Sequence, residues 1–117
     1  PVLNRNSFKM YMNYIFNEEL IFDDFSDIEY NPLDVPLGYG ETNLDMLSSK
    51  VYIFLEDTKV GLKRKKVILA GMLESLQKDE AVFLYDVVMK RVVFKNLRKG
   101  FVLNMMPDLF QTRTKKI

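Results

Sequence analysis

The stretch DEAVFLYDVVMKRVVFKNLR, Asp79 to Arg98, decides how this chain folds. Wound at 3.6 residues per turn, its apolar members Val82, Phe83, Leu84, Val87, Val88, Val92, Phe94 and Leu97 cover more than half of a helix's circumference. A helix that apolar belongs in the middle of a bundle, with neighbours on several sides. Asp79 stands at a capping position, and Gly100 is placed as the residue that closes such a helix. The expectation is therefore one long central helix from Asp79 to about Arg98. Its remaining edge is basic: Arg91, Lys95, Arg98 and Lys99 stand at i, i+4, i+7 and i+8 and would project from one face. Like charges at those spacings repel one another, and a phosphate backbone would turn the repulsion into attraction.

Working outward, a second helix is expected from about Leu62 to Gln77, after a short turn at Val60-Gly61. Its apolar members are Val67, Leu69, Leu73 and Leu76, and its first turn carries Lys63, Arg64, Lys65 and Lys66. Four cations at a helix N-terminus oppose the helix dipole by a few tenths of a kcal/mol each. Helix amides with four cations around them make a phosphate site, which resolves that conflict; a lysine-rich exposed turn is the plainer reading. Further upstream, Thr42 and Asp45 resemble a capping box, and Leu44, Leu47, Val51, Phe54 and Leu55 form the buried stripe of a helix ending near Asp57. Asn31-Pro32, Val35-Pro36 and Gly38-Tyr39-Gly40 mark a long loop. Before it lies an acidic stretch, Glu18 to Glu29, interleaved with Phe16, Ile21, Phe22, Phe25 and Ile28. A first helix is expected over Ser7–Leu20, opened by Ser7. The sum is an all-α fold: a compact helical bundle of at least four helices in a single domain. Its core should contain Leu47, Phe54, Leu69, Leu73, Leu84, Val88 and Val92.

The chain has 117 residues, enough for one core. It has neither cysteine nor histidine, which removes disulfides, thiol catalysis, imidazole metal sites and every Ser-His or Cys-His arrangement. No apolar run reaches the roughly 18–20 residues that span a bilayer, so no membrane partner is expected and an intracellular, cytoplasmic setting is the default. The net charge of +1 hides an asymmetry. Residues 1–50 hold three basic and nine acidic side chains, a net of −6, whereas residues 51–117 hold fourteen and seven, a net of +7. Such a split presents a basic face to a polyanion. The five glycines form no phosphate-binding loop, and the seven methionines fall on apolar faces.

Three motifs in order resemble a known family. Met72-Leu73-Glu74-Ser75-Leu76, then Asp79-Glu80, then Lys95-Asn96-Leu97-Arg98-Lys99-Gly100 are similar to the N-terminal DNA-binding domain of phage-type ATP-dependent DNA ligases. In that family a Leu-Glu-Ser-Leu-like helix end, an acidic cap and a long helix lead to a Lys-Asp-Leu-Arg-Cys-Gly pattern and then an Asn…Pro-Gly-Leu segment. Leu103-Asn104-Met105-Met106-Pro107-Asp108-Leu109 stands in the last place, and Thr58 to Leu62 stands where the family has a Leu-Thr-Gly-Asn turn. Asn96 and Lys99 replace the family's Asp and Cys. The resemblance covers roughly residues 8–111, with Lys95 to Gly100 its most specific part. It implies a non-catalytic domain that holds duplex or nicked DNA by its sugar-phosphate backbone. On that reading the chain is a fragment of a longer ligase or a stand-alone relative. The Lys-x-Asp-Gly adenylation signature is absent here. The resemblance assigns it, with ATP and magnesium, to a catalytic domain that would follow in the parent chain; this chain itself would hold no cofactor.

The DNA-binding residues expected are Lys59, Gly61, Lys63, Arg64, Lys65 and Lys66 around the second helix's start. Arg91, Lys95, Asn96, Arg98, Lys99 and Gly100 are expected at the end of the long helix. Two other readings predict different surfaces. A protein-interaction module or phage-encoded regulator would expose Phe16, Phe22 and Phe25 as an aromatic patch. A carboxylate enzyme would gather Asp23, Asp24 and Asp27 around magnesium.

Overall fold

A computed structural model describes residues 3–92 of the chain. The fold is all-α: helices α1 (Arg5–Phe16), α2 (Leu44–Ser48), α3 (Leu62–Glu74) and α4 (Lys78–Val88), with a 3-10 turn at Val51–Phe54. Among the described residues the only extended pairings are two isolated bridges, Phe22 with Leu55 and Leu33 with Gln77. α4 is central, packing against α1 and α3, while α1 also meets α2 and α3 meets the 3-10 turn. Leu47, Phe54, Leu69, Leu73, Leu84 and Val88 are buried as expected, and Val92 packs half-buried at the core's edge. None of the described helices is long and apolar enough to cross a membrane.

Helix ends differ from the sequence expectation, and side-chain hydrogen bonding explains each shift. α1 opens at Asn4, whose side chain accepts the Ser7 N–H at 2.8 Å. Ser7 is buried instead, its hydroxyl 3.1 Å from that of Ser48. The helix ends at Phe16, where Asn17 caps it, and not at Leu20. α2 is capped by Asn43, not Thr42; the Thr42 hydroxyl lies 2.6 Å from that of Ser75. The helix expected to reach Asp57 stops at Ser48. The Ser48 hydroxyl donates back to the Asp45 carbonyl at 2.8 Å, a bond that competes with the helical ladder. The buried stripe survives the break, since Val51 and Phe54 of the 3-10 turn continue it inward.

α3 and α4 meet at a tight corner, Ser75 to Gln77. The Ser75 hydroxyl donates to Met72 O at 2.6 Å and ends α3 short of Gln77. The buried Gln77 side chain, not Asp79, caps α4 by accepting the Asp79 and Glu80 N–H groups. Leu33 fastens the long loop to this corner, donating to Leu76 O and accepting from Lys78 N at 2.9 and 3.0 Å. Gly40 is required here: a Cβ on it would lie 2.9 Å from Thr42 O and 3.0 Å from Gln77 N.

The expected helix to Arg98 ends at Val88, ten residues early. Lys90 adopts a left-handed φ of 56°, Lys90 N–H donates to Val87 O and Arg91 N–H to Asp86 O, both at 3.0 Å. This is a Schellman closure on a residue other than glycine. Lys90 is held there by its ammonium, which donates to Asn17 O at 2.8 Å and lies over the Phe22 ring. Arg91 therefore lies past the helix and does not begin the basic helical edge expected of it. Lys95, Asn96, Arg98, Lys99 and Gly100 lie outside the described residues, as does the segment from Phe101 onward.

One buried charge gives a test of this packing. Glu80 is 2% exposed, and its carboxylate accepts the first N–H of α2, from Leu44, at 3.3 Å. Burial pushes its carboxyl above the usual range, outweighing the pull of the Leu44 N–H, with Asp45 adding to the rise. The folded chain thus binds this proton more tightly than the unfolded chain does. Glu80's contribution to stability is present at acid pH and is lost as pH rises through the raised folded value. Glu80→Gln keeps an acceptor for Leu44 N–H and removes the buried charge. In urea denaturation, wild-type stability relative to the Gln variant should fall as pH rises from about 4 to 7. A constant difference would show that Glu80 is not buried as a charge.

Candidate nucleic-acid interface

The start of α3 is where sequence placed a phosphate site, and local pairing decides which cations remain at its surface. Ile21 to Asp23 run beside Phe54 to Glu56: Asp23 N–H donates to Phe54 O at 3.0 Å and Glu56 N–H to Ile21 O at 2.8 Å. This lays Asp23 over the first turn of α3. Gly61 caps that helix without a side-chain hydrogen bond, and the first turn holds no acidic residue. A Cβ at Gly61 would meet nothing within 4 Å, so the helix start is sterically open.

The four-cation run splits according to helical phase. Lys65 shares a face with the buried Leu69, Met72 and Leu73 and is itself 1% exposed. Its ammonium donates to Asp23 Oδ2 at 2.5 Å and to Leu55 O at 2.8 Å. It is a structural cation, which corrects its assignment to the phosphate-facing turn. Lys66 pairs with Asp27 at 2.8 Å, a half-exposed contact. Lys63 and Arg64 point into solvent beside a shallow hollow of about 570 Å3 that Gly61, Val67 and Ile68 complete. Lys59 is exposed on the preceding turn, which Thr58 braces by donating to Ile53 O at 2.8 Å and Leu55 O at 3.0 Å. Lys59, Lys63 and Arg64 make no ion pair with another described residue.

Arg91 is partly committed elsewhere. Its Nε donates to Asp86 Oδ1 at 2.9 Å, and its guanidinium lies 5.1 Å from the centre of the Tyr85 ring. By accepting that hydrogen bond, Asp86 raises the guanidinium's pKa above its ordinary value. The structure thus brings Lys59, Gly61, Lys63 and Arg64 together, removes Lys65, and leaves Lys66 and Arg91 paired with carboxylates.

The surfaces of the two other readings also change. Phe25 is fully buried, edge-on to Phe54 at 5.5 Å, and Phe22 is half-buried against Tyr14. Of the expected aromatic patch, Phe16 alone is mostly exposed, at 65%. The three aspartates do not converge: Asp23 and Asp27 each hold a lysine, and Asp24 accepts the Ser26 N–H at 2.9 Å. Hydrogen bonding from the Ser26 side chain, and then from its N–H, holds the Asp24 carboxyl below its ordinary value. Among the described residues no three acidic side chains are grouped to bind a metal ion.

Comparison with protein-family models, curated proteins and solved structures finds no match to this chain. The ligase resemblance rests on the motifs quoted above, and its most specific one, Lys95 to Gly100, lies outside the described residues.

Residue type marks Lys65 for the surface, whereas its helical phase marks it for the core. The signal was present in the helical phase: Leu69 and Leu73 follow at i+4 and i+8, on the same face as Lys65. Lys65→Ala should destabilise the fold by about 3 kcal/mol, because it strands the Asp23 carboxylate and the Leu55 carbonyl. Lys66→Ala removes a surface pair and should cost less than about 1 kcal/mol. Urea denaturation of the two variants checks this, and equal effects would contradict the split.

Proposed function

We propose that this chain binds the backbone of duplex DNA, nicked or intact, without reading its sequence. The observation that carries the proposal is the cluster of Lys59, Lys63 and Arg64 around the open, acid-free start of α3. Exposed N–H groups at a helix start favour an anion, and three cations with no ion-pair partner among the described residues add to that field. The distribution of charge along the chain supports the same reading. Residues 3–92 carry eleven basic and fifteen acidic side chains, a net of −4, whereas residues 93–117 carry six and one, a net of +5. A domain that is acidic elsewhere would meet a polyanion in one orientation, with α3's start toward it.

Phosphate contacts position a protein without carrying sequence information. The resemblance to ligase DNA-binding domains supports nicked duplex as the substrate, in an intracellular setting. Adenylation, with ATP and magnesium, would then belong to a catalytic domain in the same parent chain.

Of Lys59, Lys63, Arg64, Lys95, Arg98 and Lys99, about five are expected to contact phosphate. Log affinity should then fall with log salt at a slope of about −4 to −5. Fluorescence anisotropy on nicked and intact duplexes of unrelated sequence measures this. Replacing Lys63 and Arg64 with Ala should reduce the slope by about two, with stability changed by less than about 0.5 kcal/mol per site. Gly61→Asp supplies a cap to α3 and should stabilise the fold by a few tenths of a kcal/mol, while its charge weakens binding to every duplex. A flat salt response of the wild-type chain would overturn the proposal.

A further inference from the structure

Two surfaces of this chain set opposite charges around exposed apolar side chains. One is an open groove of about 560 Å3 between the end of α1, the loop after it and the end of α4. Ile15, Phe22 and Val88 line it, and Ile21 stands 53% exposed along it. Glu18 and Asp24 rim the groove as exposed carboxylates with no ion pair to another described residue. Lys90 closes one end, its ammonium turned onto Asn17 O and over the Phe22 ring. The other surface is the outer face of α3's start, where Val67, 70% exposed, shares a shallow hollow with Lys63 and Arg64. Leu62, just before these cations, is exposed as well.

We propose that these surfaces are the two halves of one contact between copies of this chain, the α3 face of one copy seated on the groove of the next. Charge complementarity selects the occupant. An apolar groove rimmed by unpaired carboxylates fits an apolar side chain flanked by cations, and Val67 beside Lys63 and Arg64 offers that combination. Helix geometry requires the face to come from a second copy. Asp23 lines the groove and holds Lys65, so the groove's loop lies on Lys65's side of α3. Lys63 and Val67 each stand two residues from Lys65, about 160° round the helix axis, and face away from that loop. One chain therefore does not fill its own groove with this face, whereas a neighbour can. The contact joins unlike surfaces, so each bound pair keeps a free groove and a free α3 face, and association continues past the dimer unless the rotation closes a ring. Lys63 and Arg64 also belong to the proposed phosphate surface, but the contact does not depend on that reading, and its test contains no nucleic acid.

Sedimentation velocity of the full chain in low salt, at about 10 and about 500 µM, tests the contact, since patches this small hold weakly. The weight-average sedimentation coefficient should rise at least about 1.3-fold over that range and fall back in about 1 M salt. Two double variants dissect the halves. Glu18→Gln with Ile21→Ser alters the groove alone, Lys63→Glu with Arg64→Glu alters the α3 face alone, and all these positions are exposed. Either variant by itself should sediment as a monomer at the higher concentration. An equal mixture should form a one-to-one complex and stop there, because each partner keeps only the half that the other lacks. Circular dichroism checks folding. Should the groove variant unfold, Glu18→Lys alone, a single exposed charge reversal, should weaken association at least about threefold. A wild-type chain that stays monomeric at the higher concentration overturns the proposal. So does association that survives either double variant, or a mixture of the two that remains monomeric.

Discussion

The Lys65 ammonium, held by the Asp23 carboxylate and the Leu55 carbonyl, is the interaction on which the rest of this structure depends. It joins three segments distant in sequence: the acidic loop after α1, the end of the 3-10 turn and the first turn of α3. A charge taken this far out of water is tolerable only when its partners are well placed. The bridge between Phe22 and Leu55 meets that requirement by fixing Asp23 and Leu55 side by side. Once Lys65 is turned inward, helical geometry leaves Lys63 and Arg64 facing solvent, and Lys66 falls to one side beside Asp27. One buried ion pair therefore sets both the packing of α3 and the composition of the cationic surface beside it.

The same economy holds along α4. Its apolar circumference is satisfied by α1 on one side and α3 on another, with Tyr11 edge-on to Phe83 and the Tyr85 hydroxyl donating to Phe25 O at 2.7 Å. Tyr11 in turn donates to Leu44 O at 2.6 Å, beside the Leu44 N–H that Glu80 accepts. Burial raises the Tyr11 hydroxyl's pKa far above its ordinary value, with Glu80 reinforcing the effect, so it remains a proton donor. Among the described residues, buried polar side chains are few and each has a partner, which gives α2, only five residues long, a fixed place.

Apolar periodicity made the fold class and most of the core legible, because burial follows side-chain phase whether or not the helix is continuous. Leu47 and Phe54 are buried on one stripe even though the backbone between them changes from α to 3-10. Helix ends were less legible. Asn4, Asn43 and Gln77 cap where Ser7, Thr42 and Asp79 also qualify by residue type, and only tertiary contacts choose among such neighbours. Ser7 and Thr42 are taken by Ser48 and Ser75. The end of α4 carried no glycine signal, since Lys90 is held left-handed by contacts to Asn17 and Phe22 from another part of the chain. At the candidate interface, residue type located the right turn but not the direction of each side chain. Lys63 and Lys65 are identical in composition and opposite in role.

Competitive acetylation of lysines, with and without duplex DNA, tests that division most directly. On the free chain Lys59 and Lys63 should react at the rate of ordinary exposed lysines, while Lys65, with its ammonium enclosed, should react at least about 100-fold more slowly. Adding duplex at low salt should protect Lys59 and Lys63 and leave Lys9 and Lys50, exposed within the acidic first half, unchanged. Lys65 reacting as fast as Lys63, or Lys63 remaining unprotected when duplex is bound, would contradict the account.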